Sequence, residues 1–356
     1  MRAVITSLGM ISPVGLGAVA TAAAVRAGVS FTGEIEHCEA IIGDSGEALP
    51  IHGHPIRDYT EGFHIFGRWV RIAAGCLENL VIYGKLDPRD AAFWRTTGLY
   101  LATPVLDLHR FDLDGPISSQ EVVNAYGLRV LGVTEFPISA ALINIIALGH
   151  AGTASAVQQA ARAIHKGHLE RVVVLGVDSY LDAHSLGWSM ARIKVPHNPV
   201  GLMPGEAGAC FLIEAEPVAR QRDATIHAIV EGATVGEEPY NLFTEEINWG
   251  IGLASVMAVL LPESAVFSGD AFVDLNGEEW RARELTGARI KLGARFDPAR
   301  FVMAASSLGE TGAASGAIGV CLAARSFARS YDSNGHALVI SSSEHGHVGA
   351  IRLSKP

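Results

Sequence analysis

Cysteine is scarce in this 356-residue chain, and no pair of cysteines has the Cys-x-x-Cys spacing of a zinc site. The residues concerned are far apart: Cys38, Cys76, Cys210 and Cys321. This argues against both a zinc site and a disulfide framework. We therefore expect reduced thiols, a cytoplasmic protein, and neither a metal nor a cofactor. Cys210 and Cys321 stand in apolar runs, which predicts that both are core thiols.

Positive charge is also limited. The chain has 27 basic against 37 acidic residues, a net charge of −10, and no basic cluster. This argues against a nucleic-acid partner and against a helix that lies on a membrane surface. No apolar stretch of about 18 residues is free of polar interruptions, so no transmembrane helix is predicted. The apolar run at 18–24 is broken by glycines and by Pro13, and we interpret it as the start of a folded domain rather than a signal peptide.

Aromatic residues make up only 7% of the chain, whereas it has 39 glycines and is 49% hydrophobic. This composition is typical of an α/β protein in which small residues let helices pack close to sheets. A chain of this length suggests two domains or a large duplicated one.

Strands alternate with helices in both halves of the chain, which predicts a layered α/β fold with mainly parallel pairing. The expected domains are 1–216 and 217–356. Residues 30–65 and 104–135 have poor periodicity and receive no assignment. Predicted strands are 4–7, 97–103, 142–148, 172–177, 225–234, 271–275, 301–305, 337–341 and 349–353, with one more after the turn at 204–209. Predicted helices are 18–26, 69–83, 251–261, 278–285 and 311–329, with one more between residues 149 and 167.

The segment from 142 to 177 is the most informative one. A strand-like run at 142–148 enters a turn of small residues and then a helix, in which apolar residues recur at helical spacing up to Gly167. A second apolar strand follows at 172–177. The order strand, tight turn, helix and strand predicts a buried bend at the start of the helix.

This segment resembles the nucleophile elbow of the β-ketoacyl synthases, a branch of the thiolase-like proteins. Three further segments are similar to the same family: the Ser-Pro-x-Gly start at 4–15, the Pro-Gly-Glu-x-Ala-like turn at 198–209, and the small-residue helix start at 307–316. The resemblance implies a thiolase-like fold, in which two similar α/β halves form a layered α/β/α/β/α sandwich.

The chemistry of the family does not transfer with the fold. Its condensing site resembles a Cys-His-His triad, in which a thiolate holds the acyl chain and two histidines bind the thioester carbonyl. In this chain the cysteine position falls on His150, the two histidine positions on Asn276 and Glu310, and a supporting lysine on Ala305.

These replacements predict that condensation is absent. The field of a helix N-terminus disfavours an imidazolium, so we expect His150 to be neutral. Glu310 places a carboxylate where a hydrogen-bond donor to an enolate is needed, and two negative groups in one buried site repel each other. The positions would then serve packing or a helix cap.

The alternative is that His150 and Glu310 form a new acid–base pair, as in a hydrolase. The resemblance also places a glycine-rich loop near the site and implies pocket-lining positions at Gly149, His345, Gly346 and His347. His345 and His347 either join the pair, bind a metal through their i, i+2 spacing, or are exposed loop histidines.

Two functions therefore compete. The first is a non-catalytic accessory or partner subunit, similar to chain-length factors or to accessories in secretion gene clusters. The second is an acyltransferase or hydrolase that acts on an acyl thioester of coenzyme A or of acyl carrier protein. The resemblance implies a homodimer, or a heterodimer with a related subunit, joined through the strand at 142–148, with acyl carrier protein as a further candidate partner. We also expect a narrowed or closed pocket.

Overall fold

The computed structural model describes residues 2–42, 47–106, 108–111, 119–195, 199–261 and 265–356. Asn198, the first residue of one of the family-like segments, lies outside the described residues. The strands are β1 Ala3–Ile11, β2 Gly33–Ile42, β3 Glu47–Gly53, β4 Thr97–Ala102, β5 Ile143–Ile146, β6 Arg171–Ser179, β7 Glu206–Ala215, β8 Ala228–Glu237, β9 Asp270–Val273, β10 Arg300–Met303, β11 His336–Ser342 and β12 His347–Ser354. The helices are α1 Ala18–Arg26, α2 Ile65–Gly84, α3 Ala91–Arg95, α4 Leu108–Phe111, α5 Ser119–Thr134, α6 Gly152–His165, α7 Ala183–Ser189, α8 Glu216–Gln221, α9 Ile251–Leu260, α10 Glu279–Leu292, α11 Ala305–Leu308 and α12 Ser315–Ala328.

Ten of these strands form one sheet that contains the same strand order twice. The first half runs β1-β7-β6-β4-β5 and the second runs β8-β12-β11-β9-β10. Each pairing in the first half has a counterpart of the same direction in the second. The halves join where β1 pairs with β8 over only three residues of each strand. The fold is therefore internally duplicated, whereas the domain boundary after residue 216 stays a prediction.

The expectation of mainly parallel pairing is wrong. Only the pairings of β4 with β5 and β6, and of β9 with β10 and β11, are parallel in the described sheet. The strands β7 and β12 run antiparallel to their neighbours on both sides. Only the four residues 343–346 connect β11 to β12, which is too few for the crossover helix that a parallel pair requires.

Helices and sheet form five layers. Helices α6 and α12 lie at the centre, where each contacts strands of both halves. Helices α2 and α5 cover the outer face of the first half, and α9 and α10 cover the outer face of the second. Small residues allow the central layer to close: a Cβ atom added to Gly316 of α12 would lie 2.9 Å from Cβ of Thr153 in α6. This is the predicted thiolase-like sandwich.

Most predicted elements are present, and the helix predicted at 18–26 has the observed bounds. The segments with poor periodicity contain elements that the sequence did not indicate. Residues 30–65 hold the hairpin of β2 and β3, which forms a separate two-stranded sheet, and residues 104–135 hold α5. Helix α10 continues to Leu292, seven residues beyond its predicted end.

The cysteines are all free thiols, and Cys76, Cys210 and Cys321 are completely buried, as predicted for the last two. Among the described residues, no helix combines the length and the apolar character that a membrane crossing requires.

Candidate active site

The predicted bend lies at the start of the central helix α6. Gly149 has a φ of 57°, a left-handed conformation that favours glycine, and its N–H donates to the carbonyl of Thr103 at 3.0 Å. A Cβ atom on Gly149 would lie 2.8 Å from Oγ of Ser343. One turn of 3₁₀-helix, Gly149–Ala151, then leads into α6. His150 occupies this turn and is 1% exposed.

The second half has an equivalent bend before α12. Gly312 has a φ of 48° and begins the 3₁₀ turn Gly312–Ala314. A Cβ atom on Gly312 would lie 1.9 Å from Oδ2 of Asp178, so only glycine fits. Glu310 stands two residues earlier, is 2% exposed, and accepts a 2.6 Å hydrogen bond from the N–H of Gly312. The two bends contact each other, which brings the N-terminal ends of both central helices together.

His150 lies between two carboxylates. Its Nε2 atom is 2.9 Å from Oε1 of Glu310, a hydrogen bond between the two bends. Its Nδ1 atom is 3.5 Å from Oε2 of Glu344, in the turn between β11 and β12. The contact with Glu344 acts mainly through charge, because it is longer than a normal hydrogen bond. All three side chains are buried.

A buried arginine, Arg281 of α10, also contacts His150 and Glu344, and it is 1% exposed. Its Nη2 atom is 2.9 Å from Oε1 of Glu344 and 3.0 Å from Nε2 of His150. Its other nitrogens contact Oδ2 of Asp274 at 3.2 Å and Oε2 of Glu278 at 3.3 Å, and one of them donates to the carbonyl of Ser342. The guanidinium group is therefore fully occupied by protein partners.

Asn276 joins the same network. Its amide donates to Glu310 and to Oε2 of Glu278, the latter at 2.7 Å. Its carbonyl accepts from the N–H of Glu278 at 3.0 Å. Arg192 closes the network from another side, with Nη1 at 2.8 Å from Oε1 of Glu278. The three positions that the family resemblance singles out, His150, Asn276 and Glu310, are thus brought together, while their catalytic role stays a prediction.

The charges around His150 oppose the expectation that it is neutral. Burial and the charge of Arg281 lower the pKa of His150. The carboxylates of Glu344 and Glu310 outweigh both effects and raise this pKa from 6.5 to about 10. The field of the helix N-terminus is outweighed here, because two carboxylates lie on opposite sides of the ring.

The carboxylates respond to the same charges. Burial alone would raise the pKa of Glu310, but the neighbouring His150 cation and its hydrogen bond bring that pKa below its ordinary value. The pKa of Glu344 is lowered for the same reason, with Arg281 contributing. Asp274 behaves differently, because burial raises its pKa despite the contact with Arg281. Two basic side chains and four carboxylates therefore contact one another at the centre of the molecule. We call this set the ionic cluster: His150, Asp274, Glu278, Arg281, Glu310 and Glu344.

A small cavity lies next to this cluster in the part of the chain that the structure describes. The cavity lined in part by Asp274, Glu310 and Thr311 has a volume of about 20 Å³. That is room for a single water molecule, whereas ligand pockets have volumes of roughly 300 Å³ or more. An acyl chain does not fit this cavity.

The loop positions implied by the resemblance do not line this cavity. The ring of His345 packs against Phe243, with 4.9 Å between the ring centroids. Gly346 has a φ of 87° and forms the turn, and His347 begins β12 opposite Glu237. Their predicted role as pocket residues stays a prediction, as does that of Gly149.

Within the described ranges, no group of three or more histidine, cysteine, aspartate or glutamate side chains is arranged to hold a metal ion. The structure therefore offers no support for a metal held by His345 and His347. The loop contributes a carboxylate, Glu344, to the ionic cluster instead.

Sequence reasoning missed Arg281 and Glu344. Glu344 immediately precedes His345 in the turn between β11 and β12. Arg281 lies within the predicted helix 278–285, where an arginine normally faces solvent. The available signal was the acidic residue close to each of three predicted site positions: Asp274 near Asn276, Glu310 itself, and Glu344 beside His345, because buried carboxylates require a buried cation.

Comparison with known proteins gives no match to any protein-family model and none among curated proteins. Solved structures do match over the whole chain. A type II polyketide synthase ketosynthase, AntDE in complex with its acyl carrier protein AntF, has a TM-score of 0.76 at 16% identity, covering 100% of this chain and 99% of that one. The ishigamide ketosynthase/chain length factor has a TM-score of 0.77 at 14% identity, with the same coverage. This chain has the ketosynthase fold. A ketosynthase from module 6 of the Bacillus subtilis 168 bacillaene synthase also matches, with a TM-score of 0.71 at 13% identity, covering 100% of this chain and 72% of that one.

Proposed function

We propose that this ketosynthase-fold chain is a non-catalytic partner subunit, similar in role to a chain-length factor. The observation that carries the proposal is the placement of His150. It stands at the elbow where a ketosynthase has its nucleophile, but it is buried between the carboxylates of Glu310 and Glu344, which raise its pKa to about 10 and favour the imidazolium. A protonated imidazole has no lone pair with which to attack a thioester.

Cys76, Cys210 and Cys321 lie in the hydrophobic core, and burial raises the pKa of each thiol. Cys38 packs against a separate cluster that contains Ile51 and Leu186, and burial raises the pKa of its thiol as well. Thiols of this kind are inert, because the thiolate is the nucleophile. The cavity beside Glu310, with a volume of about 20 Å³, is too small to hold an acyl chain.

A partner subunit needs an interface, and β5 supplies a candidate. It is the edge strand of the first half of the sheet, next to β4 only, and Ile143, Asn144 and Ile145 are half-buried. An edge strand presents unpaired backbone groups that a second strand can satisfy. We propose that β5 joins the chain to a second copy or to a related ketosynthase-like subunit in the cytoplasm, and that acyl carrier protein binds the assembly. An accessory role in a secretion cluster is a variant of the same proposal.

The second candidate function is hydrolysis of an acyl thioester by His150 and Glu310. The 2.9 Å contact between Nε2 and Oε1 favours it, because such a pair can activate water. Water would then attack the thioester carbonyl, and the C–S bond would break to give a carboxylic acid and a thiol. The raised pKa of His150 opposes this mechanism, because the ring would already hold the proton that a general base must accept.

Mass spectrometry of the intact protein after incubation with acyl-coenzyme A and with acyl carrier protein tests the proposal. The expected result is no covalent acyl adduct on the wild type. A stable adduct that disappears in His150→Ala would contradict a non-catalytic role.

Thiol release from the same substrates tests the hydrolase. The proposal predicts equal background rates for the wild type, His150→Gln and Glu310→Gln. Turnover that falls at least tenfold in both variants would overturn the proposal in favour of the second candidate.

Native mass spectrometry with a ketosynthase-like subunit tests whether this chain is a partner subunit. A mixed dimer or a dimer of this chain is the expected result. A monomer under all conditions would contradict the proposal.

A further inference from the structure

A second surface of the molecule carries positive charge that this acidic protein does not neutralise. A groove of about 560 Å³ runs between α1 and the C-terminal end of α12. Its polar lining consists of Arg26, Arg325, Arg329 and Tyr331. We call it the arginine groove. Helix α12 has 14 residues, so this groove lies about 20 Å from the ionic cluster, which is at the other end of the helix.

The arginines converge on one aromatic ring. The guanidinium group of Arg26 lies over the ring of Tyr331, 4.3 Å from its centroid. Burial raises the pKa of Tyr331, and four nearby guanidinium groups act against this effect: Arg325, Arg26, Arg300 and Arg329. Two cations at this end of the molecule are paired, Arg300 with Asp270 at 2.7 Å and Lys355 with Asp332 at 3.1 Å.

The three groove arginines have no such partner. No described carboxylate lies within ion-pair distance of Arg26, Arg325 or Arg329, although the chain has ten more acidic than basic residues. Arg325 donates to the hydroxyl of Tyr83 at 2.8 Å, which fixes its position without neutralising its charge. Arg26 and Arg329 are exposed. Three uncompensated guanidinium groups on one groove favour an anionic partner.

The remaining wall of the groove fits a helix. Val19, Ala23 and Ala27 follow one another at intervals of four residues along α1, and Val19 is 53% exposed. Small side chains permit close approach of another helix, and Arg325 and Arg329 have the same spacing on the opposite wall.

We propose that the arginine groove binds an amphipathic helix of a partner protein that carries acidic residues along one face. The apolar face of that helix would pack on Val19 and Ala23, and its carboxylates would pair with Arg26, Arg325 and Arg329. This site is independent of the proposed β5 interface and of the chemistry at His150.

The test uses the full-length protein and a fluorescein-labelled synthetic amphipathic peptide of about 18 residues, long enough for several helical turns, with glutamates on one face and leucines on the other. Fluorescence anisotropy is expected to show binding that weakens with salt. The double variant Arg26→Glu/Arg329→Glu should bind at least tenfold more weakly. The matched control Arg95→Glu/Arg162→Glu makes the same charge change at exposed arginines outside the groove and should bind like the wild type.

Three results would overturn the proposal. The first is an absence of peptide binding at low salt. The second is equal binding of a matched peptide with glutamine in place of every glutamate. The third is binding of pyrophosphate, measured by calorimetry, that is lost in Arg26→Glu/Arg329→Glu while the peptide does not bind, because this would identify a small-anion site. Thermal melts followed by circular dichroism show whether both double variants are folded, so that a loss of peptide binding is not mistaken for unfolding.

Discussion

At the scale of single residues, His150 is the side chain on which the proposed non-catalytic role depends. The ring is buried between Glu310 and Glu344, whose charges raise its pKa to about 10. A buried cation of this kind stabilises the folded state only while it remains protonated.

The pH dependence of stability follows from the direction of this shift. The folded-state pKa of His150 is raised from 6.5 to about 10, so its contribution is fully present below about pH 6.5 and is lost as the pH rises towards 10. Glu310 has a lowered pKa, so its contribution is present above about pH 4.5 and is lost as the pH falls. The ionic cluster should therefore stabilise the fold most between these two limits.

The variant His150→Gln tests whether the contribution of His150 to stability decreases as the pH rises. It removes one charge from a buried set, which should lower the free energy of unfolding by about 3–5 kcal/mol near pH 6. The difference from the wild type should shrink steadily as the pH rises to 10. Urea unfolding at several pH values measures it. The control His184→Gln changes an exposed histidine and should have the stability of the wild type at every pH. If the difference between His150→Gln and the wild type grew with pH, the raised pKa of His150 would be refuted.

The residues of the site show where sequence reasoning succeeds and where it fails. His150 and Glu310 could be placed together because both begin central helices in a recognisable pattern. Arg281 could not be placed from the sequence, because it is buried only where α10 of the second half meets the first bend, at His150. Two of its partners, Glu344 and His150, come from segments more than 60 residues away.

At the scale of secondary structure, the two bends before α6 and α12 are the elements that position the site. Both depend on a glycine with positive φ, Gly149 in the first and Gly312 in the second. A third glycine with positive φ, Gly167, serves as a comparison for Gly312. Gly312 has no free space, because Oδ2 of Asp178 lies 1.9 Å from the position of an added Cβ atom. Gly167, at the far end of α6, has a φ of 71° but nothing within 4 Å of that position.

This pair separates backbone strain from steric conflict. Gly167→Ala should cost only the strain of a left-handed residue, about 1–2 kcal/mol. Gly312→Ala should cost at least about 2 kcal/mol more, because it also displaces Asp178 from Arg110, its partner at 2.6 Å. Thermal unfolding of both variants provides the comparison. Equal destabilisation would show that the second bend is less constrained than the structure indicates.

The strand β5 gives a second prediction at this scale. If two copies associate through β5 in antiparallel pairing, a charge at Asn144 approaches its own symmetry mate. Asn144→Glu should weaken association by about tenfold, because like charges on paired strands repel. Asn144→Gln is the neutral control of the same size, and both changes alter the bond to Gln159. Sedimentation equilibrium would contradict the interface if the two variants associate equally.

Sequence patterns predicted these elements unevenly. The helices α1 and α9 were recognisable because each is a local run of apolar residues that form helices readily. Strand direction was not, because the antiparallel pairing of β12 with β11 depends on the length of a turn rather than on the residues of the strand. The hairpin of β2 and β3 was not recognised, and its buried residues Ala40 and Ile51 pack outside the main sheet, in a cluster with Leu186 and Leu202.

At the scale of the whole molecule, the two duplicated halves are held together by the central helices α6 and α12, which contact strands of both halves. Helix α6 belongs to the first half but contacts β8 and β12 of the second, and α12 contacts β6 and β7 of the first. The ionic cluster joins the halves again, through Arg281 and His150. The paired β1 and β8 edge is short by comparison.

We therefore expect the two halves to unfold as one unit. The fluorescence of Trp94 in the first half and of Trp280 in the second, each measured in a variant with the other tryptophans replaced by phenylalanine, should give coincident urea transitions, with midpoints that agree to within about 0.2 M. Circular dichroism should follow the same curve. Two separate transitions would show that each half is stable alone, contrary to a shared central layer.

The most direct test of the central claim is the titration of His150 by nuclear magnetic resonance, with ¹⁵N-labelled histidine and His150→Gln to assign its signals. The account predicts that the ring nitrogens of His150 keep the shifts of an imidazolium up to about pH 9, and that added acyl-coenzyme A leaves them unchanged. A ring that loses its proton near pH 6.5, or whose signals shift when the thioester is added, would contradict the account.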